Sequence, residues 1–269
     1  MAKVQMPVED LNKIISDNKI SGEELDLEIL AFVGFYIVKN VFKQETIHRY
    51  KNKYDEYKVS QEFNRTPFHL TEVLFELNHP LSSILSEDDF KKFAKNFYNG
   101  NVGLYNIRIV KKDNVDVSPV FLHQDIGYQY GQFDRYSLFV PLTNCSEDNG
   151  GLTFYPGSHK FGYLGDAGEI IDVLPEKLIR FTPTVQPTDI IVMNSLLWHK
   201  SGKNNTADER VYYDIHINSA DDTASKMVVL GQRNEKWQFD YSQDVIFSNS
   251  RLQRIKKLYE EINSLKLMK

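Results

Sequence analysis

His123 and Asp125 flank a single residue, Gln124, and a lone His199 follows far downstream. This spacing constrains the fold more than any other feature of the chain. Successive strand residues point to opposite faces, so residues two apart share one. On a strand, His123 and Asp125 converge on one point while Gln124 points away. His199 can join them only from a second strand folded opposite. Two imidazoles and one carboxylate together form a metal-ligand set. Arg210 follows the polar loop at residues 200–209 and opens another strand-like run, 210–218. A guanidinium there can clamp a carboxylate through two parallel hydrogen bonds.

The rest of the pattern supplies strands for such a site. Residues 1–30 read as polar and partly helical, with Leu11, Ile14 and Ile15 as one apolar stripe. Residues 31–40 have strand composition. Ile47, Tyr50 and Tyr54 recur at helical spacing in a helix that ends near Tyr57. Further helices are expected at 68–77 and 86–99, the second capped by Ser86 with acids in its first turn. After Asn99 the character turns to β. Residues 103–110 alternate, with Leu104, Asn106, Arg108 and Val110 on one face. Strands are also expected at 120–125, 136–142, 152–155 and 190–193, with Thr153 facing inward. Asp148-Asn149-Gly150-Gly151 and Pro156-Gly157-Ser158-His159 are turn signals. Residues 160–185 lack a period and are expected to form an insertion or lid over the site. An amphipathic helix is expected at 250–267. Together these make one domain, 1–269, mainly β with flanking helices. The β core, at about 100–220, is expected to form a β-sandwich or jelly roll.

Composition narrows the function classes. The chain has 269 residues and a formal net charge of −5, with no basic face for nucleic acid. No apolar run is long enough to span a membrane. The acidic N-terminus is unlike a signal peptide, and the lone Cys145 permits no internal disulfide, which suits the cytoplasm. The other histidines lack ligand spacing. His159 sits in a turn, His216 reads as a satisfied core residue in preference to a substrate-facing one, and His48, His69 and His79 stand apart. Asp134 and Arg135 read either as substrate contacts or as a solvated turn pair, while Tyr128 and Tyr130 either line a pocket or pack on a loop.

Taken in order, the motifs resemble the phytanoyl-CoA dioxygenase (PhyH) family of Fe(II)/2-oxoglutarate oxygenases. They are Gly34-Phe35-Tyr36-Ile37-Val38-Lys39-Asn40, His123-Gln124-Asp125, Asn149-Gly150-Gly151-Leu152, Pro156-Gly157-Ser158-His159, Thr188-Asp189-Ile190, Trp198-His199-Lys200-Ser201 and the run from Asn205 to Arg210. The resemblance covers residues 30–218. It implies a double-stranded β-helix, jelly-roll and cupin-like, and Fe(II) held by His123, Asp125 and His199. It also implies 2-oxoglutarate with its distal carboxylate on Arg210 and Ser201, and O2 as the second co-substrate. Asn106, Arg108 and Thr153 are further candidates for co-substrate or substrate contact. Where the family has a glycine before the aspartate of the strand leading to the distal histidine, this chain has Thr188, a change confined to a turn. The implied activity is hydroxylation of a small molecule, with decarboxylation of 2-oxoglutarate to succinate and CO2. Desaturation, epoxidation and cyclisation are the other outcomes this chemistry allows. Related halogenases lack the carboxylate ligand, which Asp125 supplies here. Two other classes share the same residues. One is a non-catalytic jelly-roll binding protein. The other is a zinc hydrolase, which needs a general base that no HExxH-type motif provides.

Overall fold

The computed structural model describes residues 7–60, 70–71, 79–113, 119–128, 134–163 and 179–233. Its helices are α1 (Val8–Ser16), α2 (Leu27–Val33), α3 (Gln44–Ser60) and α4 (Asp88–Ala94). Its strands are β1 (Ser21–Gly22), β2 (Phe35–Val38), β3 (Leu70–Thr71), β4 (Val102–Lys112), β5 (Val120–His123) and β6 (Tyr136–Pro141). They continue with β7 (Leu152–Phe154), β8 (Ile190–Asn194), β9 (His199–Ser201), β10 (Arg210–Ser219) and β11 (Met227–Leu230). An eight-stranded sheet has the order β1-β2-β8-β6-β10-β4-β11, with β3 pairing β4, and a three-stranded sheet has the order β5-β9-β7. The two sheets form the jelly roll expected from the sequence.

Period two on β10 divides the molecule. Tyr213, Ile215 and Ile217 join Tyr50, Tyr54, Phe90 and Phe93 in a core between the large sheet and the helices. Tyr212, on the other face, joins Phe35, Phe139, Leu152, Phe154 and Met193 in a second core between the sheets. Arg210 and Asp214 share the face of Tyr212 and line a cavity there.

Several sequence expectations change. Asp26 caps α2, accepting from the backbone N–H groups of Glu28 (3.0 Å) and Ile29 (2.9 Å). Gly34 ends it at φ +95°. Residues 31–33 are therefore the last turn of a helix rather than the start of a strand. A short apolar run cannot by itself distinguish the two. A Cβ on Gly34 would also lie 2.5 Å from His159 Nδ1. Ser86 does not cap α4; Glu87 does so without a side-chain bond. The Glu87 carboxylate instead accepts from Arg49 and from Tyr50, each at 2.7 Å. The helix stops at Ala94, and residues 98–100 form a separate 3-10 turn. Leu70 and Thr71 pair with Val110 and Ile109 as a strand, against the helix expected at 68–77, whose other residues lie outside those described. The β10–β4 register steps from His216–Asn106 to Ile217–Leu104, leaving Tyr105 as a bulge. The bulge turns Leu104 to the helical core with Ile107 and Ile109, off the face shared by Asn106, Arg108 and Val110. Strand β11 had no counterpart in the sequence reading. The helix expected at 250–267 and most of the 160–185 segment lie outside the described residues. Among the described residues, no helix is long and apolar enough to cross a membrane.

Thr188 and Asp189 serve the scaffold. Asp189 accepts from Lys39 Nζ (2.9 Å) and from the backbone N–H of Asn40 and Gln186, tying the entry of β8 to the exit of β2. The Thr188 carbonyl accepts from Phe42 N (3.1 Å).

Candidate active site

Strands β5 and β9 pair antiparallel with His123 directly opposite His199, and their rings lie 4.1 Å apart at the centroids. Asp125 arrives differently from the expectation. Strand β5 ends at His123, and Asp125 opens a 3-10 turn, Asp125–Tyr128. The convergence of His123 and Asp125 thus comes from a strand end and a turn, not from one strand face. Gln124 does point away, as expected. It is buried and donates Nε2 to the carbonyls of Gly162 (2.8 Å) and Leu196 (2.6 Å), anchoring the turn. Ile126 N donates to Ser195 O (3.0 Å), which fixes the turn's other side.

The three side chains are set as ligands. Among the described residues they form a cluster able to hold a metal ion, with ligand atoms within 4.8 Å of one another. Asp125 Oδ1 lies 3.5 Å from Nε2 of both histidines. His123 Nδ1 lies 2.7 Å from Phe121 O, and His199 Nδ1 lies 3.0 Å from Leu197 O. A carbonyl can only accept, so each Nδ1 must carry the hydrogen and each Nε2 lone pair faces the centre. Burial, reinforced by His123, pushes His199 down to about 4, so its imidazole is neutral and able to ligate at neutral pH. Burial opposes ionisation of Asp125, but the His199 and His123 rings, in their protonated forms, outweigh it and hold the carboxyl well below the usual carboxylate range. Ser137 Oγ on β6 donates to Asp125 Oδ2 at 2.6 Å. One carboxylate oxygen is thereby occupied, and Oδ1 is left for an ion. Ser137 was not anticipated, although its inward phase on an apolar strand was a readable signal.

A cavity of about 470 Å³ adjoins the cluster. Its described lining includes Val110, Val120, Phe121, Phe139 and Leu152, with Ser201 and Arg210 at one end. Phe121 is 59% exposed and stands at its solvent side. Arg210 is 1% exposed and stacks over Tyr212, 4.8 Å from guanidinium carbon to ring centroid. Its Nε has no hydrogen-bond partner. Burial pulls its pKa down, so the fold itself disfavours this charge. A buried guanidinium with an unmet donor, opening on a cavity beside a metal-ligand cluster, fits an anionic group. The donor set and this arginine therefore fit both an ion and a carboxylate-bearing co-substrate.

The remaining candidates separate. Arg108 lines the cavity and its Nε donates to Asp214 Oδ2 at 2.6 Å. Asn106 shares that face one step further along, opposite His216, and is not part of the described lining. Thr153 pairs in register with Lys200, between the Leu152–Ser201 and Phe154–His199 pairs. It therefore points to the other face of the small sheet, where its hydroxyl meets Thr182 at 2.7 Å. His216 Nε2 lies 2.8 Å from Asp214 Oδ1, and His159 Nε2 lies 3.0 Å from Ala31 O. Arg135, expected as a substrate contact or in a solvated turn, is buried against Asp222 at 2.8 Å. Cys145 is buried and pushed up to about 11 by that burial, which suits a structural thiol. Tyr130 and His69 lie outside the described residues.

The phytanoyl-CoA dioxygenase (PhyH) family model matches residues 33–212. The chain belongs to the PhyH family. Dioxygenase andF of Emericella variicolor is 23% identical over 214 residues, covering 68% of this chain and 70% of that protein. Among solved structures, the α-ketoglutarate-dependent epimerase SnoN of nogalamycin biosynthesis superposes with a TM-score of 0.63 at 17% identity. The match covers 80% of this chain and 82% of SnoN. EvdO2 from Micromonospora carbonacea var. aurantiaca, solved with 2-oxoglutarate, gives 0.62 at 17% identity, covering 81% and 98%. At these identities the superpositions establish the shared fold of this PhyH protein.

Proposed function

We propose that this protein is a non-haem Fe(II)- and 2-oxoglutarate-dependent oxygenase that hydroxylates a small molecule. The observation that carries the reading is Arg210. A buried, unpaired guanidinium shares one cavity with two inward-facing Nε2 lone pairs and a carboxylate oxygen. His123, Asp125 and His199 would hold the iron through two imidazole nitrogens and one carboxylate oxygen. Bound iron, 2-oxoglutarate and O2 supply the oxidising chemistry, with release of succinate and CO2. Arg210 clamps the distal carboxylate and Ser201 contributes a hydroxyl beside it. Ser137 fixes Asp125 so that one oxygen faces the ion. The apolar walls, Val110, Val120, Phe121 and Phe139, exclude water and suit a substrate with a mainly apolar body. The Arg108–Asp214 pair is one polar feature of that lining, with Lys200 another, and is placed to orient a polar group of the substrate. PhyH membership and the similarity to enzymes that use 2-oxoglutarate support the reading. The intact carboxylate ligand favours hydroxylation.

Anaerobic addition of Fe(II) and 2-oxoglutarate to the metal-free protein tests it. The expected result is a weak visible charge-transfer band that is absent in His199→Ala. Asp125→Ala should then release no succinate while keeping its circular dichroism. Failure of the band in folded protein, or hydrolysis supported by stoichiometric zinc with Fe(II) inert, would overturn the proposal.

A further inference from the structure

We propose that Lys112 is a positioning residue for the distal carboxylate of the co-substrate, acting through Ser201. This rests on the reading of Arg210 given above. Lys112 ends β4 directly opposite Arg210 in the β4–β10 register, and it is 5% exposed. Its ammonium donates to Ser201 Oγ at 2.8 Å and to the carbonyl of Gly202. An ammonium has three donors and no acceptor, so the serine oxygen must be the acceptor. The serine proton must then go elsewhere. Lys112 is the hydrogen-bond partner of Ser201 Oγ among the described residues, and Ser201 lines the cavity with Arg210. The lysine thus turns a hydroxyl that could donate or accept into a donor aimed at the cavity. It also brings a second positive charge behind the site where Arg210 supplies the first.

The turn at Asn149-Gly150-Gly151 fits this role, which neither the metal nor Arg210 explains. Gly150 has φ +78°, and a Cβ there would lie 2.9 Å from Lys112 Cδ and 2.9 Å from Gly202 O. The glycine leaves the channel through which the lysine stem reaches Ser201. A methionine would fill the same channel without a donor, so filling space alone does not require a lysine.

The test is calorimetric titration of the full-length, Ni(II)-loaded protein with 2-oxoglutarate and, separately, with pyruvate, a 2-oxo acid lacking the distal carboxylate. Lys112→Met is expected to weaken 2-oxoglutarate roughly tenfold and to leave pyruvate unchanged. In a Ser201→Ala background the same substitution should add less than about twofold, because the residue through which it acts is gone. Lys112→Gln, which keeps a donor without the charge, should fall between and serves if the methionine variant does not fold. Equal weakening of both acids, or an undiminished effect without Ser201, would overturn the proposal. Arg210→Met separates this from the parent reading. If Arg210→Met leaves 2-oxoglutarate binding intact, the distal-carboxylate assignment fails. If it weakens binding while Lys112→Met does not, only the role of Lys112 fails.

Discussion

Replacing Arg210 by methionine should move stability and co-substrate affinity in opposite directions. In the ligand-free protein the guanidinium is 1% exposed and its Nε is unmet. Removing an unsatisfied buried donor relieves about 1–3 kcal/mol. The stacking over Tyr212 at 4.8 Å is lost with it, about 0.5–2 kcal/mol in the other sense. Methionine has similar length and no polar group, so the cavity wall is largely kept. The net is a gain of about 1 kcal/mol, or a rise in Tm of about 2–4 °C for a chain of this size. Binding changes the other way. Loss of a charge-assisted, two-bond contact to a carboxylate removes about 3 kcal/mol, close to a hundredfold in Kd. Differential scanning calorimetry of the Ni(II)-loaded protein with and without 2-oxoglutarate reads both effects. Wild type should gain about 2.7 kcal/mol at a hundredfold excess over Kd, and the variant almost nothing at the same concentration. A variant that melts well below wild type and still responds fully to 2-oxoglutarate would refute the reasoning, because Arg210 would then be a structural residue.

Ser137→Ala should lower metal affinity roughly 10- to 100-fold, since Asp125 Oδ2 loses its donor; competition with a chromophoric chelator measures this, and unchanged affinity would remove Ser137 from the site. Gly34→Ala should destabilise by about 2–4 kcal/mol, from strain at φ +95° and collision with His159 and Leu197; the urea midpoint should fall at constant slope. His199 is depressed to about 4 by burial, against about 6.5 unfolded. Between those values the unfolded chain binds more protons, so the metal-free protein should be stable above about pH 6.5 and lose stability as pH falls toward 4. His199→Gln should flatten that slope in denaturant titrations across the same range.

How much of this was legible in the sequence depends on which force set each element. The wall of the large sheet was readable because residues 190–193 are a continuous apolar run, as a strand buried on both faces requires, and 210–218 have strand composition. That His123, Asp125 and His199 could meet in one cluster was readable from residue type and spacing. The strand geometry offered for the His123–Asp125 pair was not what the structure uses. The clamp on Gln124 and the Ile126–Ser195 hydrogen bond bend the chain into a turn, and these partners are remote in sequence. Leu104 was assigned to the wrong face because a bulge at Tyr105 depends on the partner strand. Thr153 was placed inward by proximity to a motif, whereas register with Lys200 puts it outside. Ser137 and Lys112 were missed for one reason. Each touches the site through another side chain, and although a polar residue in the inward phase of an apolar strand can be read from sequence, as at Ser137, the partner it meets across strands cannot.

The hydrogen bond from Ser137 to Asp125 crosses from the large sheet to the turn that follows the small one. The two histidines belong to the small sheet, and the carboxylate between them is gripped from the large sheet. An ion bound there is a rivet through both leaves of the sandwich. Removing such an ion should then loosen the cavity wall as well as end the chemistry.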